Sequence, residues 1–177
     1  MLERLRLLLP PPADPLEPAP PDGWAKVETD LGTALPDDFK AFTELYGSGK
    51  VDDFLYLFNP FAEGQDGNLL FEKDQVLAAY TRTRARFPTR LPLPPFPEPG
   101  GVLPLGRTDN GDELYWVTQG DPGDWPVALL ESRATRQELH RMPVTGFLTA
   151  LAANELATQI LPDDVVHRPT HRFTPFD

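Results

Sequence analysis

The chain has no cysteine. Disulfide frameworks, thiolate catalysis and cysteine-based zinc sites are excluded. Histidine is scarce, with only His140, His167 and His171. The last two are spaced for one helix face, but Pro169 between them opposes that helix, so no metal pair is expected and both read as exposed tail residues. No apolar run approaches the ~20 residues that span a bilayer. The opening MLERLRLLLP carries Glu3, Arg4 and Arg6 and too short an apolar stretch for a signal core. No small-residue cleavage site follows, and the expected location is the cytoplasm, with no membrane contact. Cations are in deficit: 16 Lys+Arg against 27 Asp+Glu give a net charge of -11. That disfavours nucleic-acid binding, which needs cations to displace phosphate counterions. It suits solubility and a basic partner reached by electrostatic steering. Phosphate-loop, GxSxG, HExxH and dinucleotide fingerprints are all missing, so no cofactor and no enzyme activity are implied.

Proline, by contrast, is abundant, at 22 of 177 residues. It clusters at Pro10–Pro21 and Pro88–Pro104, which read as a lead-in and a loop. The length suits one domain with a real core. Leu2, Leu5, Leu8 and Leu9 predict a short helix over 1–9, stopped by Pro10. Asp22 is placed to cap a helix from Gly23 to about Leu31, ended by Gly32. Pro36, Asp37 and Asp38 open the next, with Phe39, Phe42, Leu45 and Tyr46 as its apolar stripe. Phe54–Phe58 reads as a buried strand, and Leu69–Phe87 as a third long helix. Strands are expected near 102–107, 113–119 and 126–132, with another short one over 137–142. Pro143–Ala157 reads as a final helix. This order predicts an α+β fold with helices on one side of a largely antiparallel sheet. The expected division is a helix and Pro-rich leader at 1–21, the domain at 22–161, and a polar tail at 162–177.

The densest stretch is Leu105–Pro126, LGRTDNGDELYWVTQGDPGDWP. Asn110-Gly111 and Asp121-Pro122-Gly123 are strong turn signals between apolar runs. Its carboxylates have three readings. Aspartates are expected in turns for local hydrogen bonding alone. A hard-cation site is the second reading, but the spacing lacks the final bidentate glutamate of a calcium loop. The third is an acidic docking edge for a basic partner, drawn from Asp52, Asp53, Asp109, Asp112, Glu113, Asp121 and Asp124. No nucleophile accompanies these carboxylates, and no catalytic role is assigned. On the strand, Tyr115 and Trp116 point to opposite faces. Trp116 shares its face with Leu114 and is expected in the core, with Tyr115 outward beside Glu113. Trp24 and Trp125 are the other large anchors. Arg82, Arg84, Arg86 and Arg90 make a basic helix end that complements the helix dipole.

Several patches recur together in one known family. They are Glu28-xx-Leu31-Gly32-xx-Leu35-Pro36-x-Asp38-Phe39-Lys40, then Tyr46-Gly47-x-Gly49. Leu105-Gly106-x-Thr108-x-x-Gly111-Asp112 and Tyr115-Trp116-x-Thr118 follow, then Trp125-Pro126-Val127 and Thr145-Gly146-Phe147-Leu148. In this order the chain resembles the SUKH superfamily, which includes the Smi/Knr-type cell-wall-synthesis regulator domain. The likeness spans roughly residues 23–155. It implies an α+β fold with a mixed central sheet and flanking helices. It also implies protein binding. Bacterial members are immunity proteins that block a toxin domain, often a nuclease or deaminase, and fungal members are signalling scaffolds. No catalytic residues come with the family. The leading expectation is an immunity protein that binds a basic toxin domain encoded nearby. The alternative is an intracellular scaffold that docks through its Pro-rich leader, and an enzyme ranks third.

Overall fold

The Asp109-Asn110-Gly111 turn folds as its residues dictate. Gly111 takes φ 81°, a left-handed angle that costs glycine nothing. The turn joins β3 (Gly101–Thr108) to β4 (Glu113–Thr118). Their register pairs Leu103 with Trp116 and Arg107 with Glu113, and it shifts between Pro104 and Gly106. A shift is expected there, because Pro104 has no N–H to give the ladder. The computed structural model describes residues 1–133 and 136–176. Five further strands complete the sheet: β1 (Gly49–Val51), β2 (Leu55–Leu57), β5 (Val127–Leu130), β6 (Gln137–His140) and β7 (Phe173–Pro175). The order is β6-β5-β4-β3-β2-β1-β7. Each named pair is antiparallel, where the family resemblance implied a mixed sheet. The helices are α1 (Leu2–Leu8), α2 (Gly23–Leu31), α3 (Asp37–Tyr46), α4 (Leu69–Arg86), α5 (Val144–Ala152) and α6 (Asp163–Val166).

Helices cover both faces of the sheet, not one. Trp116 meets Phe39 of α3 edge to face, with centroids 4.8 Å apart. Tyr115, one residue away, meets Tyr80 of α4 with centroids 5.4 Å apart. Each such pair contributes about 0.5–1.5 kcal/mol beyond the area it buries. Both side chains are fully buried, so the outward placement expected for Tyr115 is wrong. The alternation rule put the two rings on opposite faces correctly. It did not reveal that both faces are covered, as they are in a sheet packed between helix layers.

Helix ends are capped by unexpected partners. Asp22 precedes α2 at φ 59° but makes no side-chain cap bond. Asn68 caps α4, accepting from the backbone N–H of Leu70 at 3.0 Å. Asp38 serves α5 rather than its own helix, accepting from both the N–H and the hydroxyl of Thr145 at 2.9 Å. This ties α3 to α5, which is buried along most of its length. The expected final helix, α5, stops at Ala152, five residues short, and the short α6 follows it.

The two chain ends pack on the same core. Leu5 and Leu9 of the N-terminal segment are fully buried, and the Tyr46 hydroxyl donates to the Leu9 carbonyl at 2.6 Å. Burial pushes the Tyr46 pKa up to about 12. Leu16 bridges Gly47, where any Cβ would lie 2.1 Å from the Leu16 carbonyl oxygen. The C-terminal strand β7 pairs with β1, three residues against three.

Candidate protein-binding surface

The seven carboxylates expected to form one docking edge, with Tyr115 beside Glu113, divide by burial and by position. Asp52 lies in the β1–β2 turn with its side chain fully buried. One carboxylate oxygen lies 2.7 Å from Nδ1 of His171, and the other accepts from the Arg172 N–H at 3.0 Å. The Arg168 guanidinium approaches to 3.5 Å. His171 is thus buried rather than exposed, with Nε2 3.2 Å from the Asn154 side-chain oxygen. Asp52 anchors the C-terminal segment and has no surface to offer a partner.

Asp112 is also buried. It accepts from the Thr108 hydroxyl at 2.9 Å and from the Ser132 N–H at 3.0 Å, stitching the β3–β4 turn to the end of β5. Here turn chemistry accounts for the aspartate completely. Glu113 faces α4 and accepts from the Tyr115 hydroxyl. Burial raises its pKa above the usual carboxylate range, against the smaller opposing pull of that bond. Burial and the adjacent Glu113 push the Tyr115 phenol well up. The buried Tyr115 and the partly buried Glu113 form a polar pair against α4.

The exposed members are Asp53, Asp109, Asp121 and Asp124. Asp53 and Asp109 share one end of the sheet, because the Asp109 N–H donates to the Phe54 carbonyl at 2.9 Å. Asp53 pairs with Arg172, whose hydrogen bond holds its carboxyl below the ordinary range. Asp109 pairs with Lys50 at 2.7 Å. Asp121 and Asp124 follow the far end of β4, and six strand residues separate them from the Asp109 turn, roughly 20 Å at ~3.3 Å per residue. The Asp121 side chain accepts from the Gly123 N–H at 3.0 Å, closing a local turn. One expected edge is therefore two separate ends. Asp66, in the loop before α4, lines a cavity with Asp109. It was missed because nothing in the sequence near Gly64–Asn68 pairs it with a residue 43 positions on.

Among the described residues, no group of three or more His, Asp and Glu side chains is placed to hold a metal ion. No helix among them is long and apolar enough to cross a membrane. Arg82, Arg86 and Arg90 are exposed, with the Arg90 guanidinium 5.1 Å from the Phe87 ring centroid.

A helix-flanked antiparallel sheet with Asp38 bonded to the Thr145 helix start unites two of the sequence patches into one structural unit. Residues 21–139 match the SUKH_6 family, described as SMI1-KNR4 cell-wall. The chain belongs to the SUKH family. That family includes immunity proteins and SMI1/KNR4 regulators, and it is generally non-enzymatic. No curated protein and no solved structure matches the chain significantly. The matched span omits α1 and β7, although both pack on the shared core.

Proposed function

We propose that this SUKH protein is a cytoplasmic immunity protein that neutralises a nuclease-type toxin domain by direct binding. The observation that carries the reading is the grouping of Asp53, Asp66 and Asp109 at one end of the sheet of a protein with net charge -11, where Arg172 and Lys50 pair with two of the three and Asp66 forms no ion pair among the described residues. A nuclease-type domain holds nucleic acid with a basic surface, and a carboxylate-rich end complements it. Such pairs associate quickly and lose rate as salt rises. The buried aspartates contribute indirectly: Asp52 and Asp112 hold the two turns that present the exposed ones. Inhibition then follows from occlusion, with no chemistry on the inhibitor's side.

The test is co-expression with the product of the neighbouring reading frame, followed by affinity capture and a growth assay. The expected result is a stoichiometric complex and relief of toxicity. A neighbour product that neither binds nor becomes less toxic overturns the reading.

A further inference from the structure

The C-terminal strand completes a pocket that the family-matched span alone does not contain. One wall is the Tyr56 ring on β2. Phe176, just past β7, extends that wall, its ring packed edge to face on Tyr56 with centroids 5.8 Å apart at an interplanar angle of 74°. Lys50, Asp66, Gly67 and Asp109 complete the lining, and the cavity measures about 350 Å³. Phe176 is held in place by its backbone: its N–H donates to the Ser48 carbonyl at 3.3 Å, and the preceding residue pairs with Gly49. The buried Asp52–His171 contact fixes the same segment five residues upstream.

The charge in this pocket is unbalanced. Lys50 lies on the aromatic wall, its Nζ 5.7 Å from the Tyr56 centroid and 2.7 Å from an Asp109 oxygen. The chain's own ammonium marks where a cation rests. Asp66 is exposed and forms no ion pair among the described residues. Two carboxylates thus face one cation, beside the exposed Phe176 ring and the partly buried Tyr56 ring. Ring faces attract cations through their quadrupole. A guanidinium suits such a place better than an ammonium: it is planar, weakly hydrated, and forks onto a carboxylate while stacking on a ring.

We infer that this pocket receives an arginine side chain of a protein partner, seated on the exposed Phe176 ring beside Tyr56 and bonded to Asp66, while Lys50 keeps Asp109. The inference rests on the proposed reading that the partner is a basic protein, and it names the anchor point of that contact. Anchors of this kind concentrate binding energy in a few arginine or aromatic contacts.

The test titrates acetyl-Gly-Arg-Gly-amide into the isotope-labelled full chain and follows amide shifts by NMR. The same peptide with citrulline, a neutral analogue, and one with lysine run in parallel. The expected result is saturable shifts at Tyr56, Gly67, Asp109 and Phe176. The arginine peptide binds about tenfold tighter than the citrulline peptide, the scale of one charge–aromatic contact. Phe176→Ala and Asp66→Asn each weaken it, with the rest of the spectrum unchanged as proof of folding. Absence of saturable shifts at these amides overturns the inference, and so does equal binding of citrulline. Equal binding of the lysine peptide overturns the guanidinium assignment. If a basic partner is captured but Phe176→Ala leaves its affinity unchanged, the pocket fails and the immunity reading stands. If the peptide binds but no basic partner exists, the immunity reading fails and the pocket stands.

Discussion

Replacing Asp52 removes the anchor of the C-terminal segment. Its side chain is fully buried, so water cannot satisfy the groups it leaves. The hydrogen bond to His171 at 2.7 Å involves a charged group and contributes about 1.5–3 kcal/mol. The bond from the Arg172 N–H at 3.0 Å contributes about 1 kcal/mol. Asp52→Ala is therefore expected to cost roughly 2.5–4 kcal/mol, overlapping the range for removing one partner of a buried polar pair. Asp52 also sits at φ 58°, which alanine tolerates poorly. Asp52→Asn separates the two effects, because asparagine accepts that φ and keeps the volume. It should lose about 2 kcal/mol, the charge-dependent part. Urea unfolding measures both values. For a chain of this size the alanine variant should melt about 10 °C lower. Asp53→Asn, next in sequence but exposed, should stay within about 0.5 kcal/mol of wild type. An alanine variant at position 52 within 1 kcal/mol of wild type would refute the argument, because the segment would then be held by β7 pairing alone.

Tyr46→Phe leaves the Leu9 carbonyl unpaired inside the core and should cost about 1–2 kcal/mol by denaturant titration. Gly47→Ala brings a methyl against Leu16 at a φ of 66°, and should cost at least about 2 kcal/mol in the same assay. Glu113→Gln tests the partly buried carboxyl beside Tyr115. A raised folded pKa means the folded state holds its proton more tightly, so wild-type stability from this group is full below the ordinary glutamate value of 4.5 and is lost as pH rises through the folded value. The glutamine variant should therefore gain on wild type as pH climbs above 4.5, read as the difference between paired denaturation curves from pH 4 to 8. A difference that does not change with pH would mean that the carboxyl is solvated.

The local elements were legible because their signals are local. Phe39, Phe42 and Tyr46 repeat at helical spacing, Gly32 ends α2, and Asn110-Gly111 names its own turn. The contiguous apolar runs Val102–Leu105 and Leu114–Val117 carry a further signal. Continuous rather than alternating hydrophobicity marks a strand covered on both faces, and Tyr115 follows from that. What was illegible depends on distant pairing. β1 is three residues long, and the strand it needs lies more than 120 positions away. His171 reads as a polar tail residue until Asp52, 119 positions earlier, meets it. The docking edge failed as a single surface for a related reason. Strand direction puts Asp109 and Asp121 at opposite ends of β4, and burial takes Asp52 and Asp112 out of reach.

We propose that the Asp53–Asp66–Asp109 end of the sheet engages a basic protein. The most direct test is the association rate of the neighbouring gene's product with wild type, with Asp53→Asn/Asp66→Asn/Asp109→Asn, and with Asp121→Asn/Asp124→Asn, each across a salt series. The account predicts that the triple variant associates at least about tenfold more slowly at low salt and loses most of its salt dependence, while the double variant matches wild type. A triple variant that associates as fast as wild type, or a double variant that is the slower of the two, would contradict it.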